Sequence, residues 1–272
     1  MVSVLILTLN EEVDIEGCLA SVAWSDEVVV FDSISTDRTR EIAELMGARV
    51  VTRAFDNYAA QRNAALKDVA YKNPWVLMVD ADERVPADLR EEVLLAAESL
   101  PDDVSMCLIR RRDYWDGKWI GRSSGYPTWF GRLMRPQAVW VDREVNEEYH
   151  TEGRVHRLAA HLDHYPFSKG MERWIERHNR YSAVEARQRL AAGKWTTGDL
   201  LSRNPRARRR ALKQLSFRLP GRPLIALAYL LFIRGGVFGG RVGIRYAFLR
   251  AWYEWMIDVK TAELPKAQAS HS

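Results

Sequence analysis

Trp75-Val76-Leu77-Met78-Val79-Asp80-Ala81-Asp82-Glu83 is the stretch whose reading decides the fold. Asn73-Pro74 bounds it on one side and carboxylates on the other, so its apolar residues read as a buried strand. The strand ends abruptly in Asp-Ala-Asp. In an open α/β sheet, ligands bind beyond the carboxyl ends of the strands, which makes this edge the expected place for chemistry. Two carboxylates one residue apart can hold one hard divalent cation, with water and phosphate oxygens filling its other positions. Taken alone, Asp82 reads more readily as a cap for the helix expected near Pro86. The rest of the chain has to decide between the two.

Working outward toward the N-terminus, Val2 to Leu9 is a nearly continuous apolar run suited to a central parallel strand. A helix over Val13 to Ala23 follows, with Ile15, Leu19 and Val22 at helical spacing. Glu27 to Phe31 reads as a second strand ending in Asp32. Ser33 to Thr39 is a polar loop that opens a helix running to Met46, which Gly47 stops. Ala48 to Thr52 supplies a third strand and Asn57 to Tyr71 a third helix. This β-α-β-α-β-α-β order predicts a parallel sheet with helices on both faces.

Toward the C-terminus, Pro86 to Leu100 reads as a helix and Ser105 to Arg111 as a strand. Tyr114 to Trp140, rich in Trp, Tyr and Gly, reads as hairpins and loops, and Val155 to His164 as one further strand. Beyond Pro166 the pattern turns helical: Met171 to Ala192, Leu224 to Ile233 and Ile244 to Val259, with Pro265 to Ser272 as a disordered tail. The implied division is a nucleotide-binding half over 1–104, an acceptor half over 105–166 and a helical extension over 167–272.

The totals bound the reading. A chain of 272 residues buries a full core, and its formal charge of +4 is mild, so the placement of charge matters more than its sum. Cys18 and Cys107 have no metal or redox spacing, which fits a reducing compartment. The N-terminus lacks a basic region before its apolar run and reaches acid early, unlike a signal peptide. No apolar run is long enough for a simple membrane-spanning helix.

Four motifs then occur in order: Ser3 to Glu12, Val30 to Thr39, Gln61-Arg62-Asn63-Ala64-Ala65-Leu66, and Asp80-Ala81-Asp82-Glu83. Together they resemble family 2 glycosyltransferases with the GT-A fold. That resemblance implies a Rossmann-like, mostly parallel central sheet with helices on both faces, plus a C-terminal helical extension. A looser similarity to bacterial lipopolysaccharide-core β-glucosyltransferases continues through Val145-Asn146-Glu147 and Leu162-Asp163-His164-Tyr165. Asn146 stands where that group carries His.

The resemblance implies an inverting, metal-dependent transfer of a hexose from a UDP-linked nucleotide sugar to a hydroxyl of a lipid-linked glycan such as lipopolysaccharide core. A cation, Mg²⁺ or Mn²⁺, would stabilise the departing diphosphate. It would be held by Asp82 directly and by Asp80 through water, with His164 as a third ligand or a structural residue. Thr8, Asn10, Glu11, Asp32, Ser33, Asp37, Arg62, Asp80, Ala81 and Asp82 would line the donor. Asp32 and Asp37 also read as helix caps, and Arg62 as part of a solvated face. An acceptor hydroxyl needs a base. The acidic cluster Asp142, Glu144, Glu147 and Glu148 supplies candidates, and Glu147 matches the family's acidic position. Two alternatives stay open: transfer to a polyprenyl phosphate, which needs no base, and a nucleotide-sugar-binding scaffold without activity.

Gly121-Arg122-Ser123-Ser124-Gly125 fits the serine-hydrolase pattern G-x-S-x-G but lacks the preceding strand and following helix that pattern requires. Trp115, Trp119, Trp129 and Trp140 offer flat faces for an acceptor or for core packing. Arg203 to Arg222 is a basic run before the apolar helix Leu224 to Ile233, and the two together read either as an attachment to an anionic membrane surface at its cytoplasmic face, the apolar side sinking partway, or as a soluble helical pair with a solvated basic edge. No RNA-binding motif accompanies it, so nucleic acid is not an expected partner. Self-association is left open. Gly235, Gly239 and Gly243 read as either close helix packing or a turn.

Overall fold

A computed structural model describes residues 1–142, 148–191 and 221–269 together with Ser202, Arg208 and Leu215. The chain divides into two compact units. One comprises Met1–Trp119 with Gly125–Gly170, and the other Ile120–Ser124 with Met171–Ser272.

The first unit is built on a mixed sheet in the order β3-β2-β1-β4-β8-β6-β11-β5. Its parallel half contains β1 (Ser3–Thr8), β2 (Val28–Asp32), β3 (Arg49–Thr52) and β4 (Val76–Asp80), each close to its expected place. Helices α1 (Ile15–Val22), α2 (Thr39–Leu45) and α3 (Tyr58–Asp68) connect them. Strand alternation explains why both faces are covered. Val4, Ile6, Val30, Leu77 and Val79 pack with Ile15, Leu19 and Ala43 on one side. Leu5, Val29, Phe31, Val76 and Met78 pack with Ala65 and Leu66 on the other. The Asn57 side chain accepts from Ala60 N and starts α3.

The second half of the sheet is where expectation and structure part. A two-residue strand β5 (Glu83–Arg84) follows Asp82, before α4 (Ala87–Ser99). Strand β6 runs from Val104 to Trp115, past the expected end at Arg111. It pairs antiparallel with β7 (Lys118–Trp119) and β8 (Trp129–Met134), and parallel with β11 (Arg154–His164). The antiparallel pairs of this sheet all involve β5, β7 or β8, while β1 to β4 pair in parallel throughout. Strands β9 (Val139–Asp142) and β10 (Glu148–Thr151) form a separate ribbon.

In the second unit, α5 (Gly170–Ala191) matches its expected span. The predicted helix from Leu224 to Ile233 is instead α6 (Arg222–Ala228) followed by a π turn over Tyr229–Ile233. The final helix α7 (Gly240–Ala269) starts earlier than predicted and continues past Pro265, where the sequence suggests a disordered tail. Tyr253, Met256 and Ile257 form its small core with Tyr181 and Trp252.

Candidate active site

Register alone gathers the carboxylates. Thr8 stands opposite Asp32 between β1 and β2, and Leu7 opposite Asp80 between β1 and β4, so the acids share one edge of the sheet. On the other side, His164 stands opposite Glu83 on β5 and Asp113 on β6. Two strand-ends distant in sequence are thereby brought to Asp82.

The nucleotide-side residues form one hydrogen-bonded loop system. Asp32 is fully buried, and its carboxylate accepts from Thr8 Oγ1 at 2.7 Å, Ser35 N at 2.7 Å and Ser35 Oγ at 2.5 Å. Asn10 N donates to Ser35 Oγ, and Thr36 N donates back to Asn10 Oδ1. Asp37 Oδ1 accepts from Thr39 N and Oγ1, while its Oδ2 accepts from Glu12 N. Ser33 Oγ accepts from Gln61 Nε2 at 3.0 Å. Asn10 and Ile34 both adopt left-handed backbone, φ 56° and 61°. Glu11 pairs with Lys169 Nζ at 2.6 Å, yet burial outweighs the lysine and pushes its carboxyl up to about 7.

Asp80 and Asp82 point to different environments. Asp80 Oδ1 accepts from Arg62 Nη2 at 3.1 Å and its Oδ2 from Arg132 Nη2 at 2.7 Å. Burial opposes its charge, but Arg132 and Arg62 hold the carboxyl well below the usual range. Arg132 Nη2 also donates to Glu83 Oε1 at 2.7 Å, and Glu83 Oε2 accepts from Asp80 N. Ala81 is buried, and its carbonyl accepts from Arg84 Nη1. Asp82 Oδ2 lies 3.3 Å from His164 Nε2, whose Nδ1 is 2.7 Å from Asp113 Oδ1. Burial and Arg111 push His164 down, but Asp82 and Asp113 outweigh them and raise it to about 9.

One carboxylate and one imidazole thus meet beside Asp80. Among the described residues, no three His, Cys, Asp or Glu side chains converge as a metal cage. The pair fits a cation that takes its remaining ligands from a diphosphate and water, not one caged by protein. Glu147, Glu144, Asn146 and Val145 lie outside the described residues. From the same acidic cluster, Asp142 stands opposite Glu148 in the β9–β10 ribbon, with His150 Nε2 3.4 Å from Asp142.

Beside Asp82 opens a pocket of about 300 Å³ lined by Asp14, Arg84, Tyr114, Trp115, Tyr165 and Phe167, among others. Tyr165 N donates to Asp82 O at 2.8 Å, tying the pocket to the carboxylate edge. Tyr114 stacks on Tyr165, with centroids 5.4 Å apart, and Trp115 on Phe167 at 4.3 Å. Asp14 accepts from Ser168 Oγ at 2.6 Å. The hydrolase-like Ser123 is buried and donates to Gly243 O, away from any nucleophilic role.

Sequence reasoning missed Asp113, Arg132, Lys169, Asp14 and Arg84, and gave no role to Glu83, which closes the Asp80-Ala81-Asp82-Glu83 motif. Arg132 left a trace: an arginine inside the apolar run Gly131-Arg132-Leu133-Met134 demands a buried acid.

The model of the glycosyl transferase family 2 matches residues 3–152. The chain belongs to this family and is a glycosyltransferase. An uncharacterized glycosyltransferase of Rickettsia bellii is 42% identical over 93 residues, 34% of this chain. The chain spans about a third of that relative, 31% of its length. The lipopolysaccharide core biosynthesis glycosyltransferase LpsC of Rhizobium meliloti is 30% identical over 203 residues, 71% of this chain and 73% of LpsC. Glucosyl-3-phosphoglycerate synthase of Mycobacterium tuberculosis, crystallised with Mn²⁺, UDP and glucosyl-3-phosphoglycerate, is similar at 24% identity and TM-score 0.35. That similarity covers 46% of this chain and 47% of the synthase.

Proposed function

We propose that this family 2 member is an inverting transferase that moves a hexose from a UDP-linked sugar to a hydroxyl of a lipid-linked glycan such as lipopolysaccharide core. The observation that carries the reading is the pairing of Asp82 with His164 at 3.3 Å, braced by Asp113 and adjacent to the arginine-held Asp80. Asp82 and His164 would hold Mg²⁺ or Mn²⁺, which when bound supplies Lewis-acid stabilisation to the departing diphosphate.

The chain's own groups supply the rest. Thr8, Asn10, Glu11, Ser33 and Asp37 shape the nucleotide side, with Asp32 acting through the loop it holds. Arg62 and Arg132 keep Asp80 ionised and oriented. The bond from the anomeric carbon to the diphosphate oxygen breaks as the acceptor oxygen bonds from the opposite face. The hydroxyl proton passes to a base, for which Glu147 is our choice. The aromatic walls of the neighbouring pocket suit the apolar face of an acceptor pyranose, and Asp14 and Arg84 suit its hydroxyls. A lipid-linked acceptor would locate the reaction at the cytoplasmic membrane face, with the Arg203–Arg222 run as the attachment.

The deciding experiment is calorimetric titration of UDP, GDP and dTDP with and without Mn²⁺ on wild type and Asp82→Ala. Mn²⁺-dependent binding of UDP that is lost in the variant is the expected result. Absence of binding to all three nucleotides would overturn the reading. Loss of transfer in Glu147→Gln indicates a hydroxyl acceptor, whereas retained transfer indicates a phosphate.

A further inference from the structure

We propose that the bend between α6 and α7 is a lipid-inserting element that sinks into the acyl layer of an anionic membrane and returns without crossing it. This inference goes beyond attachment by the basic run alone, and it stands whether or not the transfer reaction is as described above.

The first ground is exposure. Single exposed apolar residues are ordinary on a soluble surface, but a contiguous apolar patch marks an interaction surface. Here Leu224, Phe232, Ile233 and Phe238 are 72%, 67%, 76% and 78% exposed within one short stretch, alongside Ile225 and Tyr229. On α7, Ile244, Phe248 and Trp255 continue the exposed apolar surface at spacings of four and seven along one helical face.

The second ground is shape. The arms Arg222–Ile233 and Gly236–Leu264 are bent by 67° from a straight line. The bend is close-packed: a Cβ on Gly236 would sit 2.7 Å from Leu230 O, and one on Gly243 would sit 2.5 Å from Gly236 O. Gly235 takes φ 69°, which a side chain would strain. Arg234 N donates to Tyr229 O and Phe238 N to Gly235 O, so the turn brings paired backbone groups into an apolar medium. The arm Arg222–Ile233 is roughly 18 Å long at about 1.5 Å per residue, short of the ~30 Å hydrocarbon core. No single described helix is long and apolar enough to cross. A broken span made of both arms would place Arg241 and Arg245 in the hydrocarbon core, which entry and return on one side avoids.

The third ground is charge, which selects the occupant. No Asp or Glu occurs between Asp199 and Glu254, while arginines recur at 203, 206, 208, 209, 210, 218, 222, 234, 241, 245 and 250. Arg222 pairs with Glu254 at 2.8 Å, and Arg241 and Arg245 lie exposed on α7 near Ile244 in sequence. Arg234 lies half-buried at the bend itself, and the other arginines flank its exposed apolar residues; cations around an acid-free apolar surface complement anionic headgroups above acyl chains. A nucleic acid would leave Phe232, Ile233 and Phe238 in water.

The test is flotation of the full chain with vesicles of phosphatidylglycerol and phosphatidylethanolamine, and with vesicles of phosphatidylcholine alone, at low and high salt. The expected result is preferential binding to the anionic vesicles that persists at high salt. Phe232→Ser/Phe238→Ser should lower the vesicle partition by about tenfold or more, and salt should release what remains. Both side chains are exposed, so an unchanged melting profile shows that the variant has folded. Failure to float, or identical salt release of wild type and variant, overturns insertion. A variant that changes only the oligomeric mass of the chain, leaving vesicle binding intact, assigns the patch to a second copy and also overturns it.

Discussion

Arg132 Nη2 sits 2.7 Å from Asp80 Oδ2 and, with the same nitrogen, 2.7 Å from Glu83 Oε1. Arg132 is 2% exposed and Glu83 is fully buried, so Glu83 cannot exchange this partner for water. Removing one member of such a buried group leaves uncompensated charge. Arg132→Met should therefore destabilise the chain by about 3–5 kcal/mol in denaturant unfolding. Adding Glu83→Gln to that variant should restore part of the loss, because one of the two stranded charges is then gone. An additive double variant would show that Arg132 matters through packing rather than charge.

Asp113 should tune the proposed cation site without touching the cation. Its Oδ1 holds His164 Nδ1 at 2.7 Å and so turns Nε2 toward Asp82. Groups that fix a ligating imidazole from behind typically contribute 10- to 100-fold in metal affinity. Asp113→Asn should weaken Mn²⁺ binding in the presence of UDP by about that factor, while UDP binding without metal stays unchanged. Equal weakening of both would mean that Asp113 shapes the nucleotide pocket as a whole.

The contrast between these residues shows what was legible in the sequence. Strands β1 to β4 announce themselves because continuous apolar runs end at Asp32 and Asp80, and a parallel buried sheet leaves few other readings of such runs. The pairing of Asp113 with His164 has no such signal, since it depends on the parallel register of two strands with β7 to β10 between them in sequence. The sequence pattern ends strand β6 at Arg111 because Arg112 and Asp113 look solvated, whereas Asp113 is only partly exposed and pairs with Arg111 at 3.2 Å. The π turn at Tyr229–Ile233 escaped because its residues are uniformly apolar. The cause of the bend lies in the glycines that follow.

Ile34 occupies a backbone conformation that β-branched residues avoid, φ 61°, and its side chain is 52% exposed. Left-handed geometry costs a non-glycine residue roughly 1–2 kcal/mol, and asparagine tolerates it better. Ile34→Asn should raise stability by about 1 kcal/mol, whereas Ile34→Val should leave it unchanged. If Ile34→Asn also lowers UDP affinity, the strain is retained for an apolar contact with the nucleotide. If affinity is unchanged, the loop's shape alone is what binding requires.

His178 should make stability fall in mild acid. Its ring stacks on Trp174 with centroids 3.6 Å apart, meets the edge of Tyr253 at 5.3 Å, and donates from Nδ1 to Trp174 O. Burial, with help from Arg177 and Arg250, pushes its titration down to about 4, although the bond to Trp174 O opposes this. In the unfolded chain the same imidazole titrates near 6.5. Between those values the unfolded state binds a proton that the folded state refuses, so stability is complete above about 6.5 and declines as pH falls toward 4. With solvent screening allowed for at this partly buried ring, the loss is on the order of 1 kcal/mol. His178→Gln retains a donor for Trp174 O without the titration, so its melting temperature should fall less than that of wild type between pH 7 and 4.5. Parallel pH profiles for the two proteins would assign the acid sensitivity to other groups.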